Sequence, residues 1–182
     1  MNPAVSRKVA FDSFTLQMVW TVWFLGIVLL IHLVRMFMAL NNGDTMDNLF
    51  RSTHVATTIY MLVIGIISAV GVFPYFVRNG ITRRDYFWGA LMGLLGLAVA
   101  IGVICAVLTG LEYMVVGALS LPIDLVDVLD QIPDDNDDNI IATLVKTAII
   151  SPYIAITENW LLALLVFVWN ALLYYLIGWL IG

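Results

Sequence analysis

The sequence predicts an all-α integral membrane protein: a helical bundle with four clear transmembrane helices and both termini on the cytoplasmic side. Two observations carry the class and a third the orientation. Of the 182 residues, 62% are hydrophobic and 12% charged, where a soluble domain is about 45–50% apolar and about 25% charged. Mean hydropathy is +0.99. So few charges could not cover a surface in water, which excludes a soluble enzyme and a disordered linker. The apolar residues also gather into runs of about 20, the length of helix that crosses a hydrocarbon layer about 30 Å thick. Orientation follows from Lys and Arg, which cytoplasmic segments retain. With the N-terminus inside, Arg7, Lys8, Arg78, Arg83 and Arg84 lie inside, and Arg35, Arg51 and Lys146 outside. Asp12 and Asp85 are then the inner acids, and every other Asp and Glu lies outside. A net charge of −5 and a pI near 4.6 argue against a nucleic-acid partner.

Residues 1–17 combine Arg7, Lys8 and Asp12 with Val5, Val9, Phe11, Phe14 and Leu16. This pattern predicts a short amphipathic helix at the inner leaflet, where each cation near anionic headgroups contributes about 1 kcal/mol; the alternative is a frayed terminus that supplies only topogenic charge. The transmembrane helices are expected over 18–40, 55–77, 86–109 and 160–182. The first is too long for a signal-peptide core and lacks a small-residue cleavage site, so it is read as retained. Residues 110–158 form an outer region. Leu111 to Ile123 either extends the third helix or folds back at the interface, and the acidic stretch 124–139 reads as a solvated loop. Ile140 to Ile150 is too short to span, so it reads as an interfacial or re-entrant helix stopped at Ser151-Pro152.

The most specified stretch runs from Phe73 to Phe87, FPYFVRNGITRRDYF. Pro74 disfavours helix at the residue before it and predicts a kink or a new short turn. Asn79-Gly80 predicts a helix stop, because both tolerate the left-handed conformation. Thr82 is placed to cap the next helix with Asp85 at its third position, and Ile81 and Tyr86 stand where a hydrophobic staple would put them. Arg83 and Arg84 in the first turn oppose the helix dipole, which leaves topogenic charge or a partner surface to account for them. The stretch is therefore either a well-capped connector or a docking surface for a cytoplasmic protein.

Phe73, Pro74, Asn79, Gly80, Ile81, Thr82, Arg83, Arg84, Tyr86, Phe87 and Gly89 resemble the loop between the second and third spans of ABC-2-type transporter permeases, especially small bacterial ones with a Gly-Val/Ile-Thr/Ser-Arg-Arg core. The resemblance implies that 73–87 is a coupling loop seated in a groove of a cytoplasmic ABC ATPase dimer, with Phe73, Pro74, Tyr75, Arg78, Asn79, Gly80, Thr82, Arg83, Arg84, Asp85 and Tyr86 docking it. It further implies a second permease subunit, the same chain or a related one, in a bacterial cytoplasmic membrane. The segment 1–17 then resembles the family's interfacial elbow helix. Such permeases have six spans, and the chain stops inside the apolar run LLYYLIGWLIG without a Lys or Arg anchor; two further C-terminal spans are expected beyond it. The alternative is a four-span accessory, immunity or sensor protein with no ATPase partner.

No GxxxxGK[ST], HExxH, GxSxG or CxxC pattern is present, so no catalytic residue, cofactor or metal site is expected, and ATP hydrolysis would belong to a separate subunit. Ionisable groups inside a membrane are functional candidates by default. His32 and Arg35, three apart near the outer end of the first span, read either as a snorkelling pair or as a pathway or gating element. Glu112, at the outer end of the third, is expected to pair with Arg35 or Lys146 or else to contact cargo or relay protons. The cluster Asp134, Asp135, Asp137 and Asp138 lacks the order of a calcium loop. Cys105 reads as a small packing residue, and Gly89-x-x-x-Gly93 has the spacing that lets membrane helices approach closely, within the chain or in a dimer.

Overall fold

The computed structural model describes residues 3–43, 45–121, 123, 125–126 and 159–182. The protein is mostly helical, and among the described residues four helices are long and apolar enough to cross a membrane. In chain order, α1 runs Pro3–Asn42, β1 Met46–Asp47, α2 Leu49–Ile67, a π-helical turn Ser68–Val72, α3 Phe73–Arg78, α4 Arg83–Ala118, β2 Leu125–Val126 and α5 Trp160–Ile181. The two short strands pair in parallel, Met46 with Leu125 and Asp47 with Val126.

The elements differ from the sequence expectation at two places, the start of α1 and the start of α2. Residues 3–17 do not form a separate helix: α1 is unbroken over 40 residues, about 60 Å at 1.5 Å per residue. Its first turns stay helical because they lie on α4, where Gly89 sits beneath Ser6 and Val9 and Gly93 beneath Ala10. The second span begins earlier than 55, at Leu49, because the Asn48 side chain accepts the Arg51 N–H at 2.9 Å and caps it. The third span extends past 109 to Ala118, the first of the two readings given for the stretch after 110, and this places Glu112 within the helix. The acidic stretch and the short helix expected over 140–150 lie outside the described residues, apart from 125–126.

At Pro74 the expected new turn takes the form of a short helix, Phe73–Arg78, entered through the π turn. Phe73 keeps helical dihedrals (φ −57°, ψ −52°), and its N–H reaches back five residues to the Ser68 carbonyl. A proline ring in a regular helix presses on the carbonyl four residues earlier, here that of Val70. The wider π turn makes room for it, so α2, the π turn and α3 continue as one rod of 30 residues.

The helices pack as two parallel pairs. Ser6 lies by Gly89, Ala10 by Gly93 and Phe14 by Gly96, so α1 and α4 run in the same direction. Gly65 lies by Tyr175, Leu62 by Gly178 and Ile66 by Gly182, so α2 and α5 do too. A Cβ on Gly89 would meet the Ser6 carbonyl at 2.7 Å, and one on Gly93 the Ala10 carbonyl at 2.9 Å. At the other crossing the constraint is reciprocal: a Cβ on Gly65 would fall on the Tyr175 carbonyl and one on Gly178 on the Leu62 carbonyl. The Gly89-x-x-x-Gly93 spacing is thus spent inside the chain. Leu94, Leu97, Ala98, Ile101 and Cys105 of α4 then join Met61 and Ile64 of α2 and Phe167 and Ala171 of α5 in one core.

Large apolar side chains such as Phe11, Trp23, Phe37 and Leu180 face outward, as they do where the solvent is lipid. Replacing Gly178 by Leu should drive α2 and α5 apart and destabilise the bundle by at least about 3 kcal/mol, the upper end of ordinary overpacking. Gly26→Leu, at a position with open space around it, should be neutral. Unfolding of both variants by SDS titration in mild detergent checks this.

Candidate functional site

Two places in the fold hold the residues singled out in the sequence. The first is the turn between α3 and α4. The Ile81 N–H donates to the Phe76 carbonyl at 3.2 Å and the Gly80 N–H to the Val77 carbonyl at 3.0 Å, while Gly80 has φ +81°. This is the Schellman arrangement, and glycine supplies its left-handed residue without Cβ strain. The Asn79 side chain adds a bond to the Tyr75 carbonyl at 2.8 Å. Thr82 is extended; its Oγ1 accepts the Asp85 N–H at 3.2 Å and donates to Asp85 Oδ2 at 2.8 Å. One helix is therefore closed and the next opened within four residues, Asn79 to Thr82.

An aromatic cluster ties this turn to the bundle. Tyr86 packs on Phe73 (5.2 Å between ring centroids), on Phe76 (5.5 Å) and on Trp179 of α5 (6.4 Å), and Phe87 stacks on Trp179 at 5.4 Å. The Tyr86 hydroxyl lies 3.2 Å from the Ser68 hydroxyl in the π turn. Ile81 packs in the same cluster, completing the staple. Asp85 and Tyr86 are buried, whereas Tyr75, Arg78, Arg83 and Arg84 are exposed. None of these arginines has an ion-pair partner among the described residues. The turn is capped on both sides, carries three cations without an ion-pair partner among the described residues, and is tied to the π turn, α1, α4 and α5.

The second place is at the opposite end of the bundle. Glu112 Oε1 lies 2.6 Å from His32 Nε2, and Glu112 Oε2 accepts the Leu49 N–H at 2.8 Å. His32 Nδ1 lies 3.1 Å from the Ser52 hydroxyl. Both side chains of the pair are nearly closed to solvent, at 4% and 6% exposure. The carboxylate thus takes an unsatisfied N–H in the first turn of α2, where the helix dipole favours negative charge, and joins α1, α2 and α4 at one point.

Of the expected pathway residues, His32 and Glu112 come together and Arg35 does not. Arg35 does not pair with Glu112: it is half-exposed and lies 3.9 Å from Asp47, which Arg51 also holds at 3.0 Å. Nor do His32 and Arg35 form a snorkelling pair, since His32 turns inward. The other expected partner of Glu112, Lys146, lies outside the described residues. Among those residues no group of three or more His, Cys, Asp or Glu side chains could hold a metal.

The sequence reading missed a polar seam through the core. Gln17 Nε2 donates to the Tyr175 hydroxyl at 3.0 Å, and the Thr21 hydroxyl meets that of Tyr60 at 2.8 Å. Thr53, His54 and Thr57 are buried as well, with His54 edge-on to Phe167 at 5.5 Å. Its signal was the four-residue spacing of Ser13, Gln17 and Thr21 along an otherwise apolar helix.

Neither a protein-family model, nor a curated protein, nor a solved structure matches the chain. The class rests on the fold: a mostly helical chain with four helices fit to span a membrane, as in a multi-pass membrane protein.

Removing the carboxylate leaves two buried donors without an acceptor, at about 1–3 kcal/mol each. Glu112→Ala should therefore destabilise the bundle by about 2–6 kcal/mol, while Glu112→Gln, which keeps an acceptor for the Leu49 N–H, should lose less than half of that. SDS unfolding of the two variants side by side checks the assignment.

Proposed function

We propose that the chain is the membrane-spanning permease subunit of an ATP-driven ABC exporter, coupled to a separate cytoplasmic ATPase dimer through residues 73–87. The observation that carries this reading is the doubly capped turn, with Arg78, Arg83 and Arg84 outward and unpaired. A membrane hairpin needs only a flexible connector, whereas a turn capped on both sides, with three cations that have no ion-pair partner among the described residues, is suited to a groove with acidic walls. On this reading the four helices form part of a six-span permease fold in a bacterial cytoplasmic membrane, and a second permease subunit, identical or related, completes the pathway.

Energy transfer is then mechanical. ATP-driven closure of the ATPase dimer displaces the turn, and the contacts of Tyr86 pass the displacement to α2 and α5. The start of α1, seated on Gly89 and Gly93, moves with α4. No residue of this chain takes part in covalent chemistry. His32 and Glu112, at the far end, act as a fixed point about which the helices rock.

Reversing Arg83 and Arg84 to Glu turns attraction into like-charge repulsion at the docking surface, worth several kcal/mol. The double variant should still insert and elute as a single species from mild detergent. The P-loop ATPase that co-purifies with the native chain in stoichiometric amount should be lost, while Arg35→Gln, at the opposite end, retains it. Mass spectrometry of the purified complex reads both. Equal ATPase recovery from the double variant would refute the docking role, and no ATPase with the native chain would favour a four-span accessory protein.

A further inference from the structure

The bundle is open at two places on its side. Beyond Tyr60, toward residue 3, a groove of about 780 Å³ lies between α1 and α2; its wall residues Leu16, Trp20 and Ile67 are exposed and single out no occupant. The other place is a stripe on α5, and it does. Val166, Asn170, Leu173, Ile177 and Leu180 follow one another at spacings of four, three, four and three, so they share one side of the helix. Leu173, Ile177 and Leu180 are 40%, 46% and 88% exposed, and Val166 and Asn170 are partly exposed. Asn170 carries the one amide side chain of an otherwise apolar and aromatic helix, midway along its 22 residues, which puts the amide near the middle of the bilayer. Among the described residues it has no hydrogen-bond partner.

Hydrocarbon has no water to satisfy an amide, so the group is costly there unless another chain supplies a donor and an acceptor. That requirement narrows the occupant. An acyl chain has neither, and a lipid headgroup does not reach that depth. A second copy of the chain has both at the right height. Copies of one protein insert in the same orientation and so present Asn170 at the same depth. An amide, with two N–H donors and a carbonyl acceptor, pairs with its own like. The residues around it fit the same partner. In heptad terms Asn170 and Ile177 fall at a, and Val166, Leu173 and Leu180 at d. Ile at a with Leu at d favours a parallel two-stranded contact, and a single Asn at a fixes its register. We propose that α5 pairs in parallel with α5 of a second copy of this chain along this stripe. The two Asn170 side chains hydrogen-bond to each other across a two-fold axis normal to the membrane. α5 meets the rest of its own chain through a different side, that of Phe167, Ala171, Tyr175 and Gly178, so the pairing leaves the bundle intact. That this copy is the second permease subunit rests on the permease reading, whereas the contact itself needs no ATPase.

The test reconstitutes the full chain, fluorescently labelled and free of ATPase, in vesicles over a series of protein-to-lipid ratios, and single-molecule photobleaching reads the dimer fraction. A dimer is expected. Asn170→Leu should raise its dissociation constant about tenfold, the worth of an interhelical hydrogen bond in lipid at the upper end of its range. Asn170→Gln, which keeps donor and acceptor, should retain most of the affinity. Leu165→Ala, on a lipid-exposed position off the stripe, should leave the dimer unchanged. In a Cys105→Ala background, Ile177→Cys should form an intermolecular disulfide in the vesicles under mild oxidation, and Leu165→Cys should not. A monomer at every ratio, an affinity that Asn170→Leu leaves unchanged, or equal cross-linking at the two positions would each overturn the proposal. Reversal of Arg83 and Arg84 to Glu should leave the dimer intact, so failure of the docking surface and failure of this contact are separate results.

Discussion

The bundle is organised by backbone contact between parallel helices. Lipid tails are as apolar as leucine, so helices in a bilayer gain little from the hydrophobic effect when they meet, and van der Waals packing and interhelical hydrogen bonds decide which of them associate. Gly65 and Gly178 let α2 and α5 touch reciprocally, each glycine under the carbonyl of a residue on the other helix. Gly89 and Gly93 seat α1 on α4 in the same way. These two contacts set the partners, and the remaining geometry follows from them. α4 is left to pack its large side chains against α2 and α5, and α1 reaches α2 around Tyr60 and again where His32 meets Ser52. The groove beyond Tyr60 results from two pairs that cannot both close.

Polar side chains in the interior reinforce these contacts. A buried polar group without a partner costs more than a satisfied one returns, so each hydrogen bond between helices also rules out registers that would break it. Gln17 with Tyr175 fixes α1 against α5, Thr21 with Tyr60 fixes α1 against α2, and Ser68 with Tyr86 fixes the π turn against α4. Glu112 does this for three helices at once. Its acceptors are shared between the ring of His32 and the backbone of Leu49, so α2 cannot slide along α4 without exposing an N–H that the carboxylate holds. The glycines set how close the helices come, and the polar contacts set the register.

Local features were legible in the sequence and long-range ones were not. The stop at Asn79-Gly80, the cap at Thr82 and the staple of Ile81 with Tyr86 depend on residues a few positions apart, and each stands where the sequence puts it. The span regions were equally plain, because apolar runs need no partner to be recognised. Of the two partners expected for Glu112, Arg35 lies elsewhere and Lys146 falls outside the described residues; the carboxylate instead meets His32 and the capped start of α2, 63 positions earlier in the chain. The first turn of α2 was hidden for a related reason. Arg51, Ser52, Thr53 and His54 are polar enough to read as a loop, yet the fold buries His54 and Thr53 and gives Ser52 the ring of His32 as a partner. Pro74 marked a change of helix correctly, but local propensity gives no hint that a π turn will absorb its ring.

The relation between the two ends of the bundle bears most on function. At one end the turn is capped on both sides and its cations have no ion-pair partner among the described residues, so its charge is free to meet a partner; at the other Asp47 neutralises Arg35 and Arg51, and Glu112 is buried with His32. The only wide turn in the described helices, Ser68–Val72, lies between these ends and next to the first. A π turn is a rare interruption of an α-helix, and here it adjoins a proline, which has no N–H to give the helix. The rod of α2 and α3 is therefore softest just where Ser68 touches Tyr86. On the exporter reading, a force applied at Arg83 and Arg84 reaches this soft turn before it reaches the tight crossing at Gly65. The turn can bend while the crossing and the Glu112 junction hold, which concentrates movement at the end of the bundle where the groove between α1 and α2 already lies open.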